Sequence, residues 1–217
     1  MRRLALVLLA TALGLSGCGT GSASENTSGT SANAAQETSH SNQPAQRAVS
    51  LGTGSLVVRN QPSSTAKIRT RLAPKTALGS FRVLLVERVA TGWVKVSLPT
   101  RPNGSSGWVS AQSVRIEAVD GRIDIDLASR KLTYTADGKK LINTSIAIGS
   151  AANPTPRGHF FVTDRVRPAT KGGAYGSFSL GLSAHSETLS EFGTGDGQIG
   201  IHGTNQPEYI GEAISSG

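Results

Sequence analysis

His202 is the side chain of this sequence whose surroundings best suit acid–base chemistry. It stands at 198–204 in Gln-Ile-Gly-Ile-His-Gly-Thr, where apolar residues alternate with small or polar ones. In a strand, Ile199 and Ile201 would face one side, while Gly200 and His202 would face the other. Because Gly200 has no side chain, the imidazole side stays open, which suits a general base at the rim of a cleft. A structural or surface histidine is the alternative at this point.

Other groupings of reactive side chains each lack part of the pattern that their chemistry needs. Residues 195–200 match G-x-G-x-x-G, but a strand follows them where dinucleotide binding requires a helix. Asp196, His202 and Ser216 are the residue types of a serine hydrolase, but the sequence has no Gly-x-Ser-x-Gly elbow. Three histidines lack the paired spacing of zinc ligands: His159, His185 and His202. We therefore expect neither a metal nor an organic cofactor.

The elements that must position His202 are predicted to be strands. At 122–127 Ile123, Ile125 and Leu127 alternate with polar residues, and Asp137-Gly138 is a strong hairpin signal. A short helix is expected only near the end, at 208–215. The further extended segments are 131–135, 141–148, 159–163, 175–182 and 198–202.

A smaller β-rich unit precedes this domain, at 51–118. Its expected strands lie at 55–59, 81–87 and 93–98, and Gly-Trp-Val recurs at 92–94 and 107–109. Short strands with this repeat resemble a small bacterial barrel of the Src-homology (SH3) type. Residues 51–120 carry ten Lys or Arg and three Asp or Glu, whereas 121–217 carry nine of each. This basic excess would attract an anionic partner, such as an anionic polymer of the cell wall.

The N-terminus predicts export and lipid anchoring. A basic start and an apolar run at 4–15, too short to span a bilayer, are typical of a signal peptide, here 1–17. Leu-Ser-Gly before Cys18, the one cysteine, resembles a bacterial lipobox, so Cys18 would carry the lipid. Residues 18–50 are expected to be a disordered tether, since 26 of these 33 are Ser, Thr, Gly, Ala, Asn or Gln. The expected location is the outer face of the bacterial cytoplasmic membrane, with the chain extending into the wall and meeting no nucleic acid.

The strongest resemblance involves residues 201–217. Ile-His-Gly-Thr-Asn-Gln-Pro at 201–207, followed by Ile-Gly and Ser-Ser-Gly, resembles the active-site signature of L,D-transpeptidases with a YkuD-type domain. Thr-Pro-Arg-Gly-His-Phe at 155–160 resembles the family's Thr-Pro-x-Gly-x-Phe turn. In that family a nucleophilic Cys lies sixteen residues after the His, which places it directly after Gly217. Ser216 stands where the family has a second His.

The resemblance implies a mostly β chain: a small N-terminal barrel followed by a YkuD-type β-sandwich at 119–217 with one short helix. It implies cross-linking of peptidoglycan tetrapeptide stems through a Cys thioester. His202 would be the base, held through its second ring nitrogen by a backbone carbonyl, most simply that of Gly203. Backbone N–H groups around Ser216 and Gly217 would hold the oxyanion. The competing class is a non-catalytic wall-binding lipoprotein that keeps the fold, and a hydrolase is the third option.

The glycine-rich segment 171–176 (Lys-Gly-Gly-Ala-Tyr-Gly) has two interpretations. It is either a mobile flap over the cleft or an ordinary glycine loop. In the first case Tyr175 and Phe178 would line the substrate site.

Overall fold

The computed structural model describes residues 44–168, 170 and 172–217, together with the backbone of the strand β1 (Leu6–Leu9). The first unit contains seven strands and one 3-10 turn, η1 (Ala111–Ser113). The strands are β2 (Ala45–Ser50), β3 (Leu56–Arg59), β4 (Ile68–Leu72), β5 (Val83–Ala90), β6 (Trp93–Ser97), β7 (Ser106–Ser110) and β8 (Val114–Val119).

The second unit contains eight further strands and a 3-10 turn, η2 (Pro207–Tyr209). They are β9 (Gly121–Asp126), β10 (Lys131–Ala136), β11 (Lys139–Ser145), β12 (Ile148–Gly149), β13 (His159–Val166), β14 (Ser179–His185), β15 (Gln198–His202) and β16 (Ala213–Ser215). The mostly β expectation is therefore confirmed. No helix among the described residues has the length and apolar character needed to cross a membrane.

The small unit is an antiparallel sheet with the order β4-β3-β7-β6-β5-β2-β8. No ladder joins the outer strands β4 and β8 in the described part of the chain, so the structure shows a sheet and not the closed barrel that was expected. Its core is aliphatic and includes the fully buried Val58, Val94, Val96 and Val109. These valines come from β3, β6 and β7, where they alternate with outward-facing residues.

Residues 45–50 correct the predicted extent of the tether. They form β2, which lies between β5 and β8 in the small sheet. Ala48 is only 1% exposed, so this single alanine gives the strand a core contact despite the polar composition around it. The rest of the predicted tether, up to residue 43, lies outside the described residues, as does Cys18.

The larger sheet has the order β11-β10-β9-β1-β13-β14-β15. The predicted hairpin at 137–138 joins β10 and β11, with φ of 50° at Asp137 and 70° at Gly138, as a type I′ turn requires. β1 pairs parallel to β9 and antiparallel to β13. Because β1 lies within the predicted signal peptide, cleavage before Cys18 would remove this strand from the sheet.

The helix expected at 208–215 is wrong. The segment contains η2 and then β16, which pairs parallel with β12. Gly211 between them has a φ of 97°, which interrupts any helix. The backbone instead bonds to β12: Ile148 N–H donates to the Glu212 carbonyl at 3.0 Å.

The two units contact each other through β5 and β13. Phe161 on β13 is 4% exposed and packs into the core of the small sheet. Beside it, Thr76 Oγ1 donates to Asp164 Oδ1 at 2.5 Å, which gives this buried carboxylate a partner. Burial lowers the pKa of Arg82 at this contact, while the charge of Asp164 acts in the opposite direction. The two units are thus packed together rather than joined only by the chain.

Candidate active site

β15 presents His202 as its alternating sequence predicts. Ile199 is 7% exposed and packs into the core of the larger sheet, with Ile201 partly buried against it. His202 is exposed and lies opposite Ser179 of β14. Gly200 lies opposite Gly181, so neither strand places a side chain beside the imidazole at that register. The expected open side of the strand is therefore present.

The imidazole of His202 is held by its neighbour in the chain. Nδ1 lies 2.5 Å from the carbonyl oxygen of Gly203. A carbonyl oxygen can only accept, so Nδ1 carries the proton and donates it. In the neutral ring Nε2 then has the lone pair and is the nitrogen that can accept a proton. This is the hydrogen bond that the family resemblance implied.

Tyr175 packs against the same imidazole. The two ring centroids are 4.8 Å apart and the ring planes meet at 67°, an edge-to-face contact. Tyr175 lies in a turn before β14 and not within a strand, which corrects the expected strand at 175–182. The tyrosine remains 46% exposed, so one side of the ring is available to a ligand.

A close backbone contact places the Tyr175 turn over β15. A Cβ built on Gly176 would lie 2.7 Å from Gly203 Cα, and Gly176 has a φ of 62°. Only glycine satisfies both conditions without strain. Gly203 N–H also donates to the Phe178 carbonyl at 3.3 Å. The glycine-rich segment, for which a flap and an ordinary loop were both open, thus lies against the site, and its Lys171 lies outside the described residues. Whether it moves stays a prediction.

The segment at 215–217 contacts β15. A Cβ on Gly217, whose φ is 120°, would lie 3.1 Å from Ile199 Cδ1. Ser150 N–H donates to the Ser215 carbonyl at 2.9 Å, and Gly217 N–H donates to Ser215 Oγ at 3.3 Å. Ser216 is exposed. Ser216 and Gly217 therefore lie near β15, where the contacted residue, Ile199, precedes His202 by three positions.

The Thr-Pro turn supports this terminal segment. Thr155 Oγ1 accepts from Gly149 N–H at 2.8 Å, and Gly149 is the β12 residue opposite Ser215. The carbonyl oxygens of Asn153 and Pro154 lie 3.8 and 4.0 Å from the Cβ position of Gly217. The two sequence motifs of the resemblance, far apart in the chain, thus meet at residues 215–217.

Asp196 does not pair with His202. Its Oδ2 lies 3.0 Å from Nε2 of His185, so the acid–His202–Ser216 arrangement of a serine hydrolase is not formed. His185 is buried, and its Nδ1 has no hydrogen-bond partner among the described residues. Among all the residues that the structure describes, no three His, Cys, Asp or Glu side chains are grouped as metal ligands.

Arg101 is a site-supporting residue that the sequence did not identify. Its guanidinium, from the small unit, donates to the carbonyls of Asp196 at 2.5 Å, Ser186 at 2.9 Å and Leu189 at 2.7 Å. These carbonyls belong to the loop at 186–197, which leads directly into β15. No local pattern in the sequence indicates that Arg101 has partners about 85 to 95 residues away.

Asn103, two residues further on, pairs with the backbone of His185 in both directions. Its Nδ2 donates to the His185 carbonyl at 2.8 Å, and its Oδ1 accepts from the His185 N–H at 2.9 Å. The amide therefore acts as an added strand residue at the end of β14. The small unit fixes both ends of the loop that precedes β15.

Comparison with known proteins agrees with this arrangement. Residues 120–217 match the family model YkuD, described as an L,D-transpeptidase catalytic domain. The chain is similar to a protein of Bacillus licheniformis named L,D-transpeptidase YkuD, with 32% identity over 127 residues, covering 55% of this chain and 68% of the relative. It is also 29% identical over 126 residues to the protein of the same name from Bacillus subtilis, with the same two coverages. The chain belongs to the YkuD-type L,D-transpeptidase family.

Proposed function

We propose that the protein cross-links peptidoglycan peptide stems by L,D-transpeptidation. The observation that carries this proposal is the fixed imidazole of His202, whose Nδ1 is bound to the Gly203 carbonyl at 2.5 Å while Nε2 is available as a base. The nucleophile is a Cys expected directly after Gly217. Family membership supports the reaction class, and the geometry of the imidazole supports the role of His202 within it.

The first half of the reaction acylates the Cys. Nε2 of His202 accepts the thiol proton. The thiolate then attacks the carbonyl carbon of the third stem residue, in its peptide bond to the terminal D-Ala. A Cys–carbon bond forms, the peptide C–N bond breaks, and the D-Ala amine leaves with the proton that His202 returns. The product is a thioester between the Cys and the shortened stem.

The second half transfers the stem to an acceptor. The side-chain amine of the third residue of a neighbouring stem attacks the thioester, His202 takes the amine proton, and the Cys leaves as thiol. Backbone N–H groups near Ser216 and Gly217 hold the oxyanion in both halves, and one such donor is worth roughly 3 kcal/mol. The Gly217 N–H must exchange its present bond to Ser215 Oγ for the oxyanion.

Tyr175 and Phe178 form the side of the substrate site that faces the imidazole. Both are about half exposed, at 46% and 49%. Tyr175 already touches His202, and the Phe178 carbonyl holds the Gly203 N–H, so both residues are fixed beside the reacting groups. We assign to them contact with the apolar parts of the stem. No metal or organic cofactor enters the mechanism.

We also propose that the protein works on the outer face of the cytoplasmic membrane, held by lipid on Cys18. The support is the sequence alone: the basic start, the short apolar run and the lipobox. Two or more acyl chains give stable anchoring, since one binds only marginally. The polar segment after Cys18 would let the folded units reach into the wall.

The test is a donor–acceptor assay with the full chain, extended through the residue that follows Gly217 in its gene. A synthetic tetrapeptide stem and an amine acceptor are incubated with it, and products are identified by mass spectrometry. A cross-linked product with release of D-Ala supports transpeptidation. A shortened stem without cross-link indicates a hydrolase, and no product from folded protein indicates the non-catalytic wall-binding alternative; both overturn the proposal.

A further inference from the structure

The outer face of the small sheet carries a row of cations in register. Arg59 of β3 lies opposite Trp108 of β7, Trp108 lies opposite Lys95 of β6, and Lys95 lies opposite Arg88 of β5. Residues directly opposite on neighbouring strands project to the same face of a sheet. Arg71 of β4 joins this face through its pairing with Val57, two residues before Arg59. We call Arg59, Arg71, Arg88, Lys95 and Trp108 the cationic face.

Three arginines of the cationic face have no carboxylate partner among the described residues. Arg59 donates to the Ala66 carbonyl at 2.5 Å, and Arg88 lies 4.9 Å from the centre of the Trp108 ring. Arg71 is exposed. None of these contacts removes positive charge, so three full charges remain available on one surface. Lys95 is the exception, because it pairs with Glu87 at 2.9 Å.

The acidic residues of the small unit are too few to neutralise this surface. Residues 51–120 contain three carboxylates. One of them, Glu117, is engaged elsewhere, between Arg47 at 2.6 Å and Arg115 at 2.6 Å, and the hydrogen bond from Arg47 is the main cause of its lowered pKa. Four of the ten Lys and Arg residues at 51–120 lie on the cationic face, and three of these four have no carboxylate partner among the described residues.

The buried state of Trp108 indicates what kind of anion fits. The indole is 6% exposed and lies beneath the Arg88 guanidinium, so it cannot insert into a lipid layer as an interfacial aromatic would. What the surface offers is three planar guanidinium groups, on β4, β3 and β5, within a run of five neighbouring strands that lie about 4.8 Å apart. Guanidinium groups bind phosphate through two parallel hydrogen bonds. The geometry therefore favours an extended chain of phosphates over a bilayer.

We propose that the cationic face binds a linear phosphodiester polymer of the cell wall. Binding there holds the small unit, and with it the attached catalytic unit, beside wall material. The proposal does not depend on transpeptidation, since no residue of the cationic face belongs to the His202 site.

The experiment measures the binding of poly(glycerol phosphate) to the full chain by calorimetry at two or more salt concentrations. Arg71→Gln/Arg88→Gln is compared with Arg122→Gln/Arg165→Gln, which removes the same two charges from exposed positions on β9 and β13 of the larger sheet. We expect the first pair to weaken Kd by about five- to tenfold, since exposed ionic contacts contribute up to about 1 kcal/mol each. The control pair should stay within about twofold, and wild-type affinity should fall with salt.

Three results would overturn the proposal. The polymer fails to bind the wild-type chain, or the two variant pairs lose affinity equally, which would indicate net charge and not a site. The third is equal or tighter binding to vesicles of phosphatidylglycerol than to the polymer, which would assign the face to lipid. Circular dichroism of both variant pairs shows that the sheets remain folded.

Discussion

The carbonyl oxygen of Gly203 lies 2.5 Å from Nδ1 of His202, the residue immediately before it. The tautomer of the imidazole is therefore set by the backbone of the strand end itself, and no acidic side chain is needed to orient the ring. This differs from an Asp–His arrangement, in which the carboxylate also stabilises the charged imidazolium.

His202→Asn and His202→Gln are both expected to abolish most of the activity, because both remove the imidazole base. The Asn amide keeps a donor near the Gly203 carbonyl, but neither variant offers a nitrogen base in the Nε2 position. We expect donor turnover to fall about 10²- to 10⁴-fold in both. The thermal midpoint should change little, because His202 is exposed. Turnover within tenfold of wild type would show that His202 is not the base.

Gly176→Ala should damage both stability and activity. Its Cβ would lie 2.7 Å from Gly203 Cα at a φ of 62°, so the turn must move away from β15. Gly172→Ala is the matched control, since it has a φ of 79° but nothing within 4 Å of its Cβ. We expect the control to cost about 1 kcal/mol of unfolding free energy and Gly176→Ala at least about 1 kcal/mol more. Equal costs in denaturant titrations would contradict the close contact.

Tyr175→Ala is expected to slow acylation while Tyr175→Phe leaves it unchanged. The contact with His202 is made by the ring, and an edge-to-face pair contributes about 0.5–1.5 kcal/mol. That energy corresponds to roughly a two- to tenfold change in rate. Single-turnover kinetics with the donor stem give the comparison. If Tyr175→Ala reacts as fast as wild type, the segment is an ordinary loop with no role in the site.

Arg101→Ala should loosen the loop at 186–197. Three carbonyls would lose their donor, with a cost of about 1–3 kcal/mol in unfolding free energy. Hydrogen exchange of the amides in this loop should accelerate relative to those of β9. Arg115→Ala, an exposed arginine of the same unit, is the control and should leave the loop unchanged. Unaltered exchange in Arg101→Ala would show that the small unit does not support the site.

What the sequence predicted correctly depends on near neighbours in the chain. The strand at 198–202 and the turn at 137–138 follow from local alternation and local turn chemistry. The hydrogen bond from His202 to the Gly203 carbonyl was expected from the family resemblance and not from local patterning, and it joins adjacent residues.

What the sequence missed depends on distant partners. Arg101 meets carbonyls about 85 to 95 residues away, and nothing in the surrounding turn encodes that contact. The segment 213–215 is a strand only because β12 is available to pair with it. Tyr175 reaches His202 because two glycines, Gly176 and Gly203, let two backbones approach. Each of these follows from packing between elements and not from local propensity.

The most direct test of the central claim is the intact mass of the mature protein from its native source, with and without a carbapenem, which acylates the catalytic Cys in members of this family. The account predicts a Cys directly after Gly217 and a gain of one inhibitor mass on that residue. A folded mature protein that has no Cys at that position and gains no inhibitor mass would contradict the claim that it is a cysteine transpeptidase.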